Sequence, residues 1–149
     1  MIDLHPSFSG IPLAGVLLLV ASEVLRLIPS LRLARAVVQT TAVVLCVVSV
    51  AAAFLSGYQA SSRAGELSGV VEEAMARHHS LGRVLLINAV LLATCFFLAR
   101  IAIHGRRVLQ TLYYVAFVIQ ITLTVWVGYL GGQLVFTHAV NVTKDKLLE

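Results

Sequence analysis

Four long runs of apolar residues, separated by short polar stretches, dominate the pattern of the chain. The runs cover residues 11–28, 36–56, 79–103 and 111–137. Each is close to or above the roughly 20 residues that a helix needs to cross the hydrocarbon core of a bilayer. Pro12 suits the first turn of a helix, and Gly57 suits a helix end. The pattern predicts an all-α, integral membrane protein with a single four-span transmembrane domain over residues 1–149.

The connections between the runs indicate how the spans are arranged. The stretches 29–36 and 104–110 are tight turns, so spans one and two, and spans three and four, are predicted to be antiparallel neighbours in a four-helix bundle. The stretch 58–78 reads as a polar loop, in which Val70 to Arg77 has the pattern of a short amphipathic helix. The tail, 139–149, is charged at its end and is predicted to be frayed. We call the end of the bundle with the two termini and the 58–78 loop side A, and the end with the two tight turns side B.

The composition supports a membrane protein and excludes several other classes. The chain is 59% hydrophobic and 12% charged, with a mean hydropathy of +0.94, whereas ordinary globular domains carry roughly 25% charged residues. The net charge of +4 is not concentrated in a basic cluster interleaved with aromatics, so nucleic-acid binding is not predicted. Cys46 and Cys95 fall inside apolar runs and are interpreted as free buried thiols. No hydrolase, transferase or nucleotide-binding motif is present, and we expect no independent enzymatic activity.

The distribution of charge between the two sides predicts an orientation. Every acidic residue except Glu23 is on side A, and basic residues are packed against the spans on side B. The side B residues are Arg26, Arg32, Arg35, Arg100, Arg106 and Arg107. Basic residues close to span ends favour the cytoplasm. We therefore expect side B in the cytoplasm and both termini outside it, in a bacterial inner membrane.

Glu23 is the only acid within a predicted span. An ionisable group in a span usually has a partner, and Arg26, three residues further on, lies on the same helix face. The alternative is a proton or quinone site on side B with Gln39, Gln120 or His104. Other polar residues in the spans are expected to form interhelical hydrogen bonds, namely Asn88, Thr122 and Thr124. Tyr58, Tyr113 and Tyr114 are candidates for the aromatic belt at the membrane interface.

Four histidines are predicted to lie together on side A. His5 precedes span one, His78 and His79 begin span three, and His138 ends span four, whereas His104 is on side B. On the fourth span, Thr124, Gly128, Gly131 and His138 form a stripe of mainly small residues, which is typical of a close helix contact in a membrane. A similar stripe on the third span favours His79 over His78 as the inward residue. Three histidines from separate segments therefore have the potential to converge.

Several motifs resemble one bacterial family. They are Leu4-His5-Pro6, Ser56-Gly57, a histidine opening span three, and Gly131-Gly132-Gln133-Leu134-Val135-Phe136-Thr137-His138. The chain up to Val142 is similar to the four-helix membrane family named domain of unknown function 2231. It departs from that pattern at Ala139-Val140-Asn141-Val142, where Gly-Val-Gly-Val is usual. The family is similar in shape to four-helix haem-binding membrane cytochromes and occurs beside or fused to redox modules, which implies electron transfer.

Imidazoles ligate haem iron, copper and zinc, so the histidines leave several possibilities open. The first is a membrane electron-transfer subunit with a b-type haem held by His79 and His138, with His5 as a neighbour or substitute and His78 as a further candidate. The second is a copper or zinc site built from His5, His79 and His138. The third is an accessory subunit of a respiratory or photosynthetic complex, in which interfacial histidines only bind headgroups or water. A redox protein or respiratory complex is the expected partner, besides the lipid bilayer.

Overall fold

The computed structural model describes residues 10–61 and 69–136, and this part of the chain is almost entirely helical, with no strand. The four α-helices are α1 (Ile11–Val24), α2 (Arg32–Ser61), α3 (Gly69–Ile101) and α4 (Arg106–Phe136). Helices α2, α3 and α4 are long and apolar enough to cross a membrane. The predicted all-α membrane architecture is therefore confirmed. The predicted frayed tail at 139–149 lies outside the described residues.

Helix α1 is shorter than the span predicted for it. Its 14 residues extend over roughly 21 Å at 1.5 Å per residue, less than the roughly 30 Å of a bilayer hydrocarbon core. Two 3₁₀ turns, Leu25–Leu27 and Pro29–Leu31, connect it to α2. The backbone is extended at Ile28 (φ −105°, ψ 101°), as expected for a residue that precedes proline. The predicted span 11–28 thus consists of α1 and the first 3₁₀ turn.

Most of the predicted polar loop at 58–78 is helical, so that prediction is wrong in its bounds. Helix α2 continues to Ser61 and α3 begins at Gly69, which leaves only residues 62–68 between them, outside the described part. The segment from Val70 to Arg77 is the beginning of α3 rather than a separate helix. It contains no proline or glycine, and Glu73 and Arg77 form an i,i+4 ion pair of 2.6 Å, a spacing that supports a helix in water. Polarity marks where α3 leaves the apolar environment and not where the helix ends.

The helices pack as an antiparallel bundle in which α1 contacts α2 and α4, and α3 contacts α2 and α4. The larger core cluster lies toward side B and includes Leu19, Val43, Leu92, Phe96 and Tyr113, and a smaller one toward side A contains Val50, Leu85 and Ala89. Cys46 and Cys95 are buried and free, which confirms their interpretation as thiols in the core. Large apolar side chains on the outer faces, such as those of Leu17, Ile87 and Val118, are exposed. They form the surface that suits contact with lipid.

Helices α1 and α2 approach each other closely at Gly15, a contact that the small-residue pattern did not predict. A Cβ atom added at Gly15 would lie 3.2 Å from Cα of Cys46 and 3.0 Å from Oγ of Ser49. On α4, the predicted small-residue stripe is only partly a contact surface. Thr124 is buried and Gly131 packs against α3, but a Cβ at Gly128 would have no neighbour within 4 Å.

Candidate functional site

The carboxylate of Glu23 connects three helices on side B. Its Oε1 accepts hydrogen bonds from Nε2 of Gln39 (2.5 Å) and from the hydroxyl of Tyr113 (3.0 Å). Its Oε2 accepts a longer hydrogen bond, 3.3 Å, from the hydroxyl of Tyr114. The donors come from α2 and α4, whereas Glu23 belongs to α1. An acid in a membrane span is costly unless it is satisfied, and these three donors satisfy it.

This arrangement changes the interpretation of Glu23. Of the groups proposed for a site around it, Gln39 is present, but Gln120 lies with Asn88 and His104 is exposed in the turn after α3. The side chain of Arg26 lies outside the described part of the structure. The expected pair of Glu23 with Arg26 therefore stays a prediction. Tyr113 is buried between the helices, so the prediction of a belt aromatic is wrong for it, whereas Tyr114 is half-buried and its interfacial role stays a prediction.

A cavity of about 230 Å³ opens beside the Glu23 cluster on side B. Gln39, Tyr113 and Tyr114 contribute to its wall, so the same residues face both Glu23 and the cavity. Its remaining polar wall consists of three arginines from three helices, Arg35, Arg100 and Arg106, together with Gln110. The site therefore combines a satisfied acid with a strongly basic opening.

A second buried polar group lies between α3 and α4 and is a packing feature. Nδ2 of Asn88 donates to Oε1 of Gln120 (2.8 Å) and to the carbonyl oxygen of Ala116 (2.9 Å). The predicted interhelical hydrogen bond of Asn88 is thereby confirmed. Thr122 instead donates to the carbonyl oxygen of Val118 in its own helix, and the Oγ1 of Thr124 has no hydrogen-bond partner within residues 10–61 and 69–136. The prediction is wrong for Thr122 and is not supported for Thr124.

The structure describes two of the four histidines that were predicted to converge on side A. His78 and His79 are both half-buried on α3, with ring centroids 6.1 Å apart. His5 and His138 lie outside the described residues, so the convergence remains a prediction. Within the described part of the chain, no three histidine, cysteine or acidic side chains are grouped as metal ligands would be.

His78, which was not the residue favoured as inward, packs directly against α4. A Cβ added at Gly131 would lie 3.1 Å from Cε1 of His78, and 3.7 and 3.9 Å from its two ring nitrogens. The Cε1 edge of the ring thus faces the backbone of α4. The roles of His78 and His79 as haem ligands stay predictions.

These features define a small helical membrane protein with a polar cluster on side B and paired histidines on side A. Comparison of the chain with protein-family models, with characterised proteins and with solved structures finds no match in any of the three. The resemblance to the four-helix family therefore remains a prediction from its motifs.

Proposed function

We propose that the protein is a small electron-transfer subunit that binds a b-type haem near side A through His79 and His138, with His5 close to the iron. The observation that supports this proposal is the pair of half-buried imidazoles on α3, one of which, that of His78, lies against Gly131 of α4. Imidazole is the common protein ligand of haem iron. A haem held in this way would supply a one-electron carrier within the membrane.

The two neighbouring histidines have different roles in this proposal. His78 fills the space against Gly131 and fixes the distance between α3 and α4 beside the site. His79 is on the same helix but about 100° further round its axis, so it faces a different direction. His79 provides one axial nitrogen, and His138, seven residues beyond Gly131 in the sequence, provides the other.

The arginines of side B support an orientation in a bacterial inner membrane with side B in the cytoplasm. Both termini, and with them the proposed haem, are then on the outer face. The electron partner is a redox protein or respiratory complex that reaches this face.

The visible spectrum of the detergent-purified protein, expressed with sufficient haem, tests the proposal. We expect a Soret band and low-spin b-type bands on reduction. His79→Ala and His138→Ala should abolish these bands, because the iron loses an axial ligand. His104→Ala is the matched control and should leave them intact, since His104 is at the opposite end of the bundle. A wild-type protein that is folded, supplied with haem and colourless would contradict the proposal.

The alternative proposal is a copper or zinc site built from His5, His79 and His138. Metal analysis of a colourless preparation distinguishes it from the third possibility, an accessory subunit of a respiratory or photosynthetic complex. Stoichiometric metal that is lost in His79→Ala would support the metal site. A protein without metal or haem would support the accessory role.

A further inference from the structure

The cavity on side B brings three guanidinium groups from three different helices to one opening. Arg35 is in the first turns of α2, Arg100 is near the end of α3, and Arg106 is the first residue of α4. Arg100 is held in place, because its guanidinium lies 4.2 Å from the centre of the Phe96 ring and donates a 2.7 Å hydrogen bond to Oγ1 of Thr40. The opening is therefore a defined arrangement of side chains and not only a region of positive charge.

No carboxylate in the described part of the chain forms an ion pair with these three arginines. The one acid at this end is Glu23, whose oxygens already accept hydrogen bonds from Gln39 and the two tyrosines. Helices α2 and α4 both begin here, and neither has an acidic residue in its first turn. The electrostatics of the cavity thus favour an anion.

The number and geometry of the donors indicate which anion suits the cavity. Guanidinium groups bind carboxylates and phosphates through paired N–H groups. Three arginines from three helices, with Gln110 beside them, carry more N–H donors than the two oxygens of one carboxylate can accept. A phosphate group offers more oxygens in a tetrahedral arrangement. The cavity also lies at the ends of the spans, which is the depth of lipid headgroups.

We propose that this cavity binds a phosphate group, which either a phosphodiester of an anionic lipid headgroup or a free phosphate compound can supply. Arg35, Arg100 and Arg106 bind its oxygens, and Gln110 donates a further hydrogen bond. The Glu23 cluster holds the inner wall of the cavity by fixing Gln39, Tyr113 and Tyr114. Basic pockets between membrane helices commonly bind phosphorylated headgroups. The proposal is independent of any cofactor on side A.

Native mass spectrometry of the full-length protein in detergent, with titrated phosphatidylglycerol or phosphatidylcholine, tests the proposal. The test variants are Arg106→Gln and Arg35→Gln, which avoid the structural contacts of Arg100. The matched control is Arg107→Gln, because it removes the same charge from the same turn but at a residue that does not line the cavity. Circular dichroism and thermal unfolding show whether each variant is folded.

We expect saturable binding of phosphatidylglycerol to the wild type, and binding at least about tenfold weaker in each test variant, as for the loss of a hydrogen bond to a charged group. Arg107→Gln should weaken it by about twofold or less, as a surface charge would. Equal losses in Arg106→Gln and Arg107→Gln would overturn the proposal, because they would indicate attraction to the surface as a whole. The proposal would also be overturned if phosphatidylglycerol and phosphatidylcholine bound equally and inorganic phosphate had no effect on the binding of either lipid.

Inorganic phosphate at millimolar concentration distinguishes the two sources. If it raises the unfolding temperature of the wild type but not of Arg106→Gln, and displaces phosphatidylglycerol, the site accepts the free ion. If only phosphatidylglycerol binds with the expected dependence on Arg35 and Arg106, the source is the lipid headgroup. Both results support a phosphate site.

Discussion

The contact between α1 and α2 at Gly15 allows the sharpest prediction for stability. A Cβ atom at this position would lie 3.2 Å from Cα of Cys46, whereas carbon atoms in contact prefer about 3.5–4.0 Å. Because Cα of Cys46 is backbone, it cannot rotate away as a flexible side chain would. Gly15→Ala therefore forces α1 and α2 apart by a few tenths of an ångström, about one turn from the start of α1.

The expected cost follows from two opposing effects. Overpacking of a well-packed core costs about 1–3 kcal/mol. Replacing glycine by alanine within a helix contributes roughly 0.8–1 kcal/mol in the opposite direction. Gly128→Ala provides the matched control, since it is in a helix but its Cβ would have no neighbour within 4 Å. The difference in unfolding free energy between the two variants isolates the packing effect, and we expect Gly15→Ala to be less stable than Gly128→Ala by about 1–3 kcal/mol.

Reversible unfolding in mixed micelles of mild detergent and dodecyl sulfate, followed by circular dichroism, provides the measurement. Gly15→Leu should be more destabilising than Gly15→Ala, because the longer side chain must fit in the same gap. The prediction is contradicted if both alanine variants have the stability of the wild type, or if Gly128→Ala has the lower free energy of unfolding. Either result would mean that α1 and α2 do not approach closely at Gly15.

Two further predictions concern the polar cluster around Glu23 and the contact between His78 and Gly131. Glu23→Ala should lower the unfolding free energy by roughly 1–3 kcal/mol, because the buried hydroxyl of Tyr113 loses its acceptor. Glu23→Gln should cost less because its amide oxygen still accepts, and equal effects of both variants in the same unfolding assay would contradict this role. Gly131→Leu should disrupt the bundle because its side chain would meet the ring of His78, whereas Leu130→Ala should be mild; size-exclusion profiles and unfolding in detergent that show equal tolerance would mean that Gly131 does not face α3.

The sequence by itself determined the class of protein, and the number, order and antiparallel arrangement of the helices within residues 10–61 and 69–136. Runs of apolar residues carry this information directly, because a helix that crosses a bilayer must satisfy its own backbone and present apolar side chains to lipid. The free cysteines and the interhelical hydrogen bond of Asn88 were also predictable, since each follows from the character of one residue in an apolar run. The helix bounds were less predictable, because α2 and α3 continue through polar residues that tolerate a helix in water.

Only the tertiary structure decided which faces meet and what they bring together. Glu23 meets Gln39, Tyr113 and Tyr114, which are 16, 90 and 91 residues away in the chain, and no local pattern encodes such distances. In a membrane both the lipid-facing and the inward faces of a helix are apolar, so hydrophobic periodicity indicates the inward face only weakly. For this reason the small-residue pattern identified Gly131 correctly but not Gly128, and it gave no sign of Gly15. The arginine cavity likewise depends on the positions of three helix ends relative to one another, and those positions result from packing.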